Sequence, residues 1–323
     1  MVTIMTEQKK QRCQEKTKMR YFLRHITQLP LPAALLLLVG ALAMWSVDYA
    51  RVPEQWFATL TAQSLTLISG VLLCMVLYRA KATPHFSLLP AILYVAAVGV
   101  LPSLRQHWQP QLISLVLLFF LYMTRDMSDS HEPNGLVFSV SLMLCLAALI
   151  VPDAVWCIVL LWIVVFLQGA FTFRTILASL LAVVLVAVYY VLAMYIGWTD
   201  VWDYNALLDR QWVGDIEPTA VTVTLIVMMA TFLVVTGGAF RRSSYDLVST
   251  RMLLYHVVLL GLLSAPLILF MTPRPDSLVL LPTALAATTG IFVLQKSDEA
   301  RGVALIIYLL TALTLYLVLV ITL

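Results

Sequence analysis

Residues 111–174 read QLISLVLLFFLYMTRDMSDSHEPNGLVFSVSLMLCLAALIVPDAVWCIVLLWIVVFLQGAFTFR, long apolar runs parted by the charged link TRDMSDSHEPN and by Pro152-Asp153. A helix needs about 20 residues, with a range of roughly 17–25, to cross a hydrocarbon core of ~30 Å. Uncharged runs of this kind, separated by short polar punctuation, are the pattern of a polytopic α-helical membrane protein. The rest of the chain repeats it. Of 323 residues, 62% are hydrophobic and 11% charged, against roughly 45–50% and about 25% in a soluble domain.

Reading outward from this stretch predicts an all-α bundle of eleven spans: 30–47, 57–78, 86–102, 108–124, 135–151, 154–173, 175–196, 219–239, 252–271, 277–294 and 303–322. Residues 1–29 form a basic cytoplasmic tail and residues 30–323 the transmembrane domain. None of the spans has a charged residue near its centre. Such a charge would cost roughly 2.5–3.5 kcal/mol on insertion scales and often marks a proton or ion path, so its absence counts against a pump.

The basic residues set the orientation. With the N-terminus in the cytoplasm, all but Arg51, Arg105, Arg210 and Arg274 of the 20 Lys and Arg fall inside, while nine of the 17 acids fall outside. Inside is then net +8 and outside net −5. This satisfies the positive-inside rule and puts the C-terminus outside. The fourth span has the shortest apolar run, Leu112 to Met123, which would also suit a re-entrant segment. The downstream charge bias favours a full crossing. Read from Met1, the first span is a signal anchor. Read from Met19, it is a signal peptide with a cleavage site at Ala41-Leu42-Ala43.

Prolines Pro90, Pro266 and Pro282 fall within spans, where a proline removes a backbone hydrogen bond and can kink the helix. The formal charge of +3 gives no reason to expect a nucleic-acid partner. The four cysteines form no C-x-x-C motif, and the five histidines are scattered, with His256 alone near a span interior. No metal site is expected. No Walker A loop, nucleophile elbow or dinucleotide fingerprint is present in the sequence, and no cofactor is expected.

Candidate chemistry lies in the outer loops. The first, Ser46 to Trp56, carries Asp48, Arg51 and Glu54, and the second carries Arg105 and His107. A carboxylate here could act as general base on an acceptor while Arg and His neutralise a phosphate leaving group. Asp48 and Glu54 are the catalytic candidates. The longest outer loop, residues 197–218, reads GWTDVWDYNALLDRQWVGDIEP. Val201, Tyr204, Leu208 and Trp212 recur there at helical spacing, as an interfacial helix at headgroup level would. Asp203, Asp209 and Arg210 would then form the rim of an outward cavity and, with Arg51, Arg105 and His107, the substrate-binding candidates. The alternative is an aromatic belt with solvated acids.

Residues 111–174, with their basic Arg125 and the tight hairpin at Pro152-Asp153 before Trp156, resemble a set of polytopic inner-membrane proteins of Bacteroidetes type. FRRSSYDLVSTR and the proline-bearing pair around TPRPDSLVLLPTALA are similar to that family's final third. The resemblance implies the architecture and supplies no catalytic residue. More distantly the chain resembles polyprenyl-phosphate-dependent glycosyltransferases. It departs from them in that Asp48 and Glu54 stand six apart in a short loop instead of forming a paired acidic motif.

The expectation is an integral protein of the bacterial inner membrane, of unassigned activity, serving cell-envelope assembly. Its partners would be membrane lipids and a lipid-linked saccharide or another envelope protein. One alternative is a lipid-linked sugar transferase with an outer-facing site. The other is a transporter of a lipid-like or apolar substrate, relying on polar side chains within spans such as Gln63, Ser64, Thr66, Thr222 and Thr224.

Overall fold

The computed structural model describes residues 30–51, 56–83, 86–124, 133–150, 154, 156–196, 219–243, 248–270, 279–294, 308 and 311–317. Regular structure among the described residues is helical, with no strand. The helices are α1 (Pro30–Arg51), α2 (Trp56–Arg79), α3 (Leu89–Val100), α4 (Pro102–Gln106), α5 (Gln109–Thr124), α6 (Pro133–Ile150), α7 (Trp156–Leu167), α8 (Phe173–Tyr195), α9 (Thr219–Ser243), α10 (Val248–Phe270) and α11 (Leu280–Leu294). A further helical stretch covers residues 311–317. Among the described residues three segments, Trp56–Arg79, Phe173–Leu192 and Val223–Arg241, are long and apolar enough to cross a membrane.

The outer surface shows what solvent the fold requires. On α8, Leu177, Leu181, Val184, Val188 and Leu192 form one stripe, each at least half exposed. An apolar face of this extent in water would be an interaction or aggregation site. In a bilayer, hydrocarbon is its solvent, and no water-driven burial is needed. The opposite face of α8 packs on α6. There the Ser179 hydroxyl receives hydrogen bonds from the Ser141 hydroxyl at 2.9 Å and the Trp162 indole at 3.0 Å. The chain is an all-α membrane protein.

Two helices far apart in sequence form the centre. Every residue of α3 is buried, as is nearly all of α11; the two pack on each other, with α1 and α2 against α3 and α9 and α10 against α11. Small residues allow this close approach. A Cβ placed on Gly290 of α11 would lie 3.0 Å from the Pro90 ring, and one on Gly70 of α2 would lie 3.2 Å from the Ala91 Cβ. Pro90 and Pro282 fall in the first turn of α3 and α11, where a missing N–H leaves no helical bond unmade. These two prolines start helices and do not interrupt them.

Segment boundaries shift from the sequence expectation at three places. α1 runs through to Arg51, past the polar residues that suggested a loop from Ser46, whose hydroxyl bonds back to the Ala43 carbonyl at 2.7 Å within the helix. The third segment is split: Pro102 forces Leu101 into an extended conformation (ψ 114°), separating the short α4 from α3. The sixth expected segment, α7, ends at Leu167. Gly169, at φ 68°, closes it with Gly169 N–H bonded to the Phe166 carbonyl and Ala170 N–H to that of Val165, the Schellman arrangement. Thr172 and Thr175 then cap α8, the Thr172 N–H donating to the Thr175 hydroxyl at 2.8 Å. The fourth segment, which might have been re-entrant by its short apolar run, is one continuous helix, α5.

Candidate functional site

Along α1, Leu37, Ala41, Trp45 and Asp48 are buried while Leu35, Leu38, Val39 and Leu42 are exposed. The spacing i, i+4, i+8, i+11 makes one stripe, so the last residue facing the core is a carboxylate. Opposite it stands Arg105, carried on α4. The Pro102 break that ends α3 starts this short helix and aims the arginine back toward α1. Asp48 Oδ2 and Arg105 Nε lie 3.2 Å apart, both side chains almost fully buried. The guanidinium also donates to the Met44 carbonyl at 3.0 Å, and the Trp45 indole donates to the Arg105 carbonyl at 3.2 Å.

The 311–317 stretch completes the cluster. The Tyr316 hydroxyl donates to the same Met44 carbonyl at 3.1 Å, and the Arg105 guanidinium carbon lies 5.1 Å from the Tyr316 ring centroid, within cation–π range. One arginine thus ties together the end of α1, α4 and the last described helix. The two charges face each other at ion-pair distance, buried from solvent, and the 3.2 Å contact is electrostatic without the alignment of a hydrogen bond.

Of the residues expected at the site, the structure brings Asp48 and Arg105 together. His107 is exposed immediately after α4 and stands apart from the buried cluster. Arg51 ends α1, and its side chain lies outside the described residues, as do Glu54, Asp203, Asp209 and Arg210. The loop 197–218 and the tail 1–29 likewise lie outside them. Trp45 and Tyr316 were missed by the sequence reading. The helical stripe from Leu37 to Asp48 was the available signal for the first; for Tyr316, more than two hundred residues from Arg105, no local signal exists.

Two further polar clusters sit deeper. The Tyr94 hydroxyl on α3 is 2.7 Å from the Ser114 hydroxyl and 3.1 Å from Gln111 Oε1, both on α5. Ser114 reaches Thr283 of α11 at 3.0 Å, and the Gln111 amide donates to the Leu104 carbonyl at 2.9 Å. At the far end of α5, the Gln168 amide donates to the Thr124 carbonyl at 2.8 Å and lies 3.4 Å from His256 Nε2. A donated bond to Thr124 fixes the amide nitrogen on that side.

The polar residues considered as a transport path have these surroundings among the described residues. Gln63 Oε1 accepts from the Tyr49 hydroxyl at 2.7 Å, and Ser64 and Thr66 bond back to carbonyls of their own helix. Thr224 is buried, and the Thr222 side chain is outside the described residues.

Compared with models of protein families, curated proteins and solved structures, the chain has no match.

Proposed function

We propose that this chain is a bacterial inner-membrane protein with eleven crossings, cytoplasmic N-terminus and outer C-terminus, serving as a non-catalytic component of cell-envelope assembly. The observation that carries the reading is the buried Asp48–Arg105 pair. The acid best placed by sequence for catalysis is engaged in joining three segments and is not presented to a substrate. Burying such a pair is compensated only when geometry and surrounding hydrogen bonds are good; the guanidinium donates to the Met44 carbonyl and lies over the Tyr316 ring, while its contact with the carboxylate is an ion pair without hydrogen-bond alignment.

Strict alternation of the segments is supported by which ends meet. The C-terminal end of α1 meets α4 just beyond α3, whereas the C-terminal end of α5 meets Gln168, just beyond α7. In an alternating chain the first and third crossings end on one side and the fourth and sixth on the other, and the two pairings agree with that. Reporter fusions test the topology. Fusions at residues 83, 125, 172 and 245 should report the cytoplasm, and fusions at 107, 152, 216 and 274 the outer side; a reversal after 107 would remove α5 from the crossings.

The transferase reading is favoured by one observation, that Asp48 and Arg105 meet as a pair, and requires that pair to open for substrate. Replacing both by apolar residues, Asp48→Leu with Arg105→Met, separates the two readings. An envelope component keeps its in-vivo phenotype when the double variant is folded, and a transferase using Asp48 loses it completely.

A further inference from the structure

The helix triplets α1–α3 and α9–α11 repeat one arrangement. On α1 the buried stripe is Leu37, Ala41, Trp45 and Asp48; on α9 it is Met228, Phe232, Thr236 and Ala239, each 191 positions further on. The buried residues of α2 from Ala62 to Leu73 recur at the same interval on α10, from Leu253 to Ser264, position for position, with His256 the one addition among the described residues. Gly70 and Gly261 are such a pair, each pressed against a helix of its own triplet. α3 and α11 both open on Leu-Leu-Pro, their prolines Pro90 and Pro282 standing 192 positions apart.

Contacts repeat as well. Every helix of a triplet packs on the other two. A Cβ on Gly99 of α3 would run into Met44 of α1, and one on Gly238 of α9 into Phe292 of α11. These contacts lie near the C-terminal ends, so the first and third helices of each triplet run in one direction. Tyr49 bonds to Gln63 across α1 and α2 at 2.7 Å; Phe240, 191 positions after Tyr49, meets Tyr255 across α9 and α10 with ring centroids 5.4 Å apart. Between the triplets the direction reverses. Gly290 of α11 abuts Pro90 at the start of α3, while Thr283 reaches Ser114 at 3.0 Å and through it the Tyr94 hydroxyl, one turn further along α3. Going forward on α3 is going back on α11. The triplets are therefore related by a two-fold axis lying across the helices, in the plane of a bilayer. Inverted repeats of this kind build many secondary transporters, with the site near the midplane where the repeats meet.

We propose that α1–α3 and α9–α11 are inverted copies of one three-helix unit and that they tilt against each other across α3 and α11, the motion of a carrier, opening the hydroxyl cluster of Tyr94, Ser114 and Thr283 to one side of the membrane at a time. Were the copies identical, an arrangement closed at one end would have an image of equal energy closed at the other; their divergence sets the balance between the two. Here it favours closure at the Asp48 end, where Asp48 faces Arg105 and Tyr316 bonds to the Met44 carbonyl. The counterpart of Asp48 at the opposite end is the uncharged Ala239. A carrier is one form of non-catalytic component, and its motion needs the bundle in a bilayer but no role in envelope assembly.

Double electron–electron resonance on the full-length protein in lipid nanodiscs tests this, with spin labels on cysteines introduced after the four native ones are replaced by alanine. One pair, Ala50→Cys with Val223→Cys, spans the copies at the Asp48 end; the other, Ala34→Cys with Gly237→Cys, spans them at the opposite end, and all four positions are exposed. Asp48→Asn should shift the first pair to a longer distance and the second to a shorter one. Tyr316→Phe removes one hydrogen bond and leaves the ion pair; it should raise the same population about fivefold, and it stands in if Asp48→Asn does not fold. Lengthening at the Asp48 end alone would be local loosening, and broadening of both pairs would be partial unfolding; either overturns the tilt, as do distances that neither variant moves. Reporter fusions at 83 and 274, 191 positions apart, must fall on opposite sides of the membrane, and one side for both would end the inverted relation. Static distances with the fusions as expected would remove the carrier and leave the envelope reading standing.

Discussion

Arg105 Nε lies 3.2 Å from Asp48 Oδ2 across the interface between α4 and the last turn of α1, with neither side chain open to solvent. The two are 57 positions apart in sequence, and Pro102 is what lets them meet. Without the break it imposes, α3 would carry Arg105 onward along its own axis.

Removing one member of this pair leaves the other as an uncompensated buried charge. Asp48→Asn and Arg105→Gln should each destabilise by about 3–5 kcal/mol, and the double apolar replacement by much less than the sum. Unfolding of the purified protein in detergent, run as a double-mutant cycle, measures the coupling. Additive losses would show that the pair does not act as a unit.

Helix existence was legible from apolar run length alone, because a membrane segment needs no polar face and its signal survives without periodicity. Helix ends were less so. Ser46 to Arg51 looked like a loop by polarity, but backbone hydrogen bonding continued through them and turned Asp48 onto the core-facing stripe. The same limit applies to the site. Sequence singled out Asp48 and Arg105 as charges in outer loops; their pairing depends on the Leu101 bend and on Tyr316, which are tertiary facts.

Tyr94 is fully buried at the meeting of α3, α5 and α11. Tyr94→Phe keeps the ring and removes the hydroxyl that Gln111 and Ser114 share. The expected loss is about 1–3 kcal/mol, the cost of leaving buried polar partners unmet. Ser114→Ala should cost less, since the Tyr94 hydroxyl retains Gln111. Equal stability of Tyr94→Phe and wild type would remove this cluster from the forces that hold α3 to α5.

Glycine substitutions should divide by their surroundings. A Cβ on Gly261 of α10 would stand 2.2 Å from the Phe232 ring of α9, itself fully buried, while Gly237 has nothing within 4 Å. Gly261→Ala should destabilise by about 1–3 kcal/mol through overpacking, with recovery in the double variant Gly261→Ala, Phe232→Leu. Gly237→Ala should be neutral or stabilising by up to ~1 kcal/mol, as alanine is the better helix former. Thermal unfolding of both variants in the same detergent checks the contrast, which fails if Gly237→Ala is the more damaging.

α2 ends on a left-handed residue that is not glycine. Lys81 has φ 55°, its N–H bonded to the Tyr78 carbonyl, while the Ala82 N–H reaches the Leu77 carbonyl. This is the same closing arrangement that Gly169 makes after α7, but here a Cβ crowds the following carbonyl at a cost of about 1–2 kcal/mol. Lys81→Gly should relieve that strain, less the extra freedom glycine brings to the unfolded chain. A net gain of up to ~1 kcal/mol is expected, and Lys81→Val, whose branched side chain fits the left-handed region worst, should lower stability. The same unfolding measurement on the two variants decides it. A loss with glycine would mean that the lysine side chain, at the end of a helix whose carbonyls favour a cation, contributes more than its backbone conformation costs.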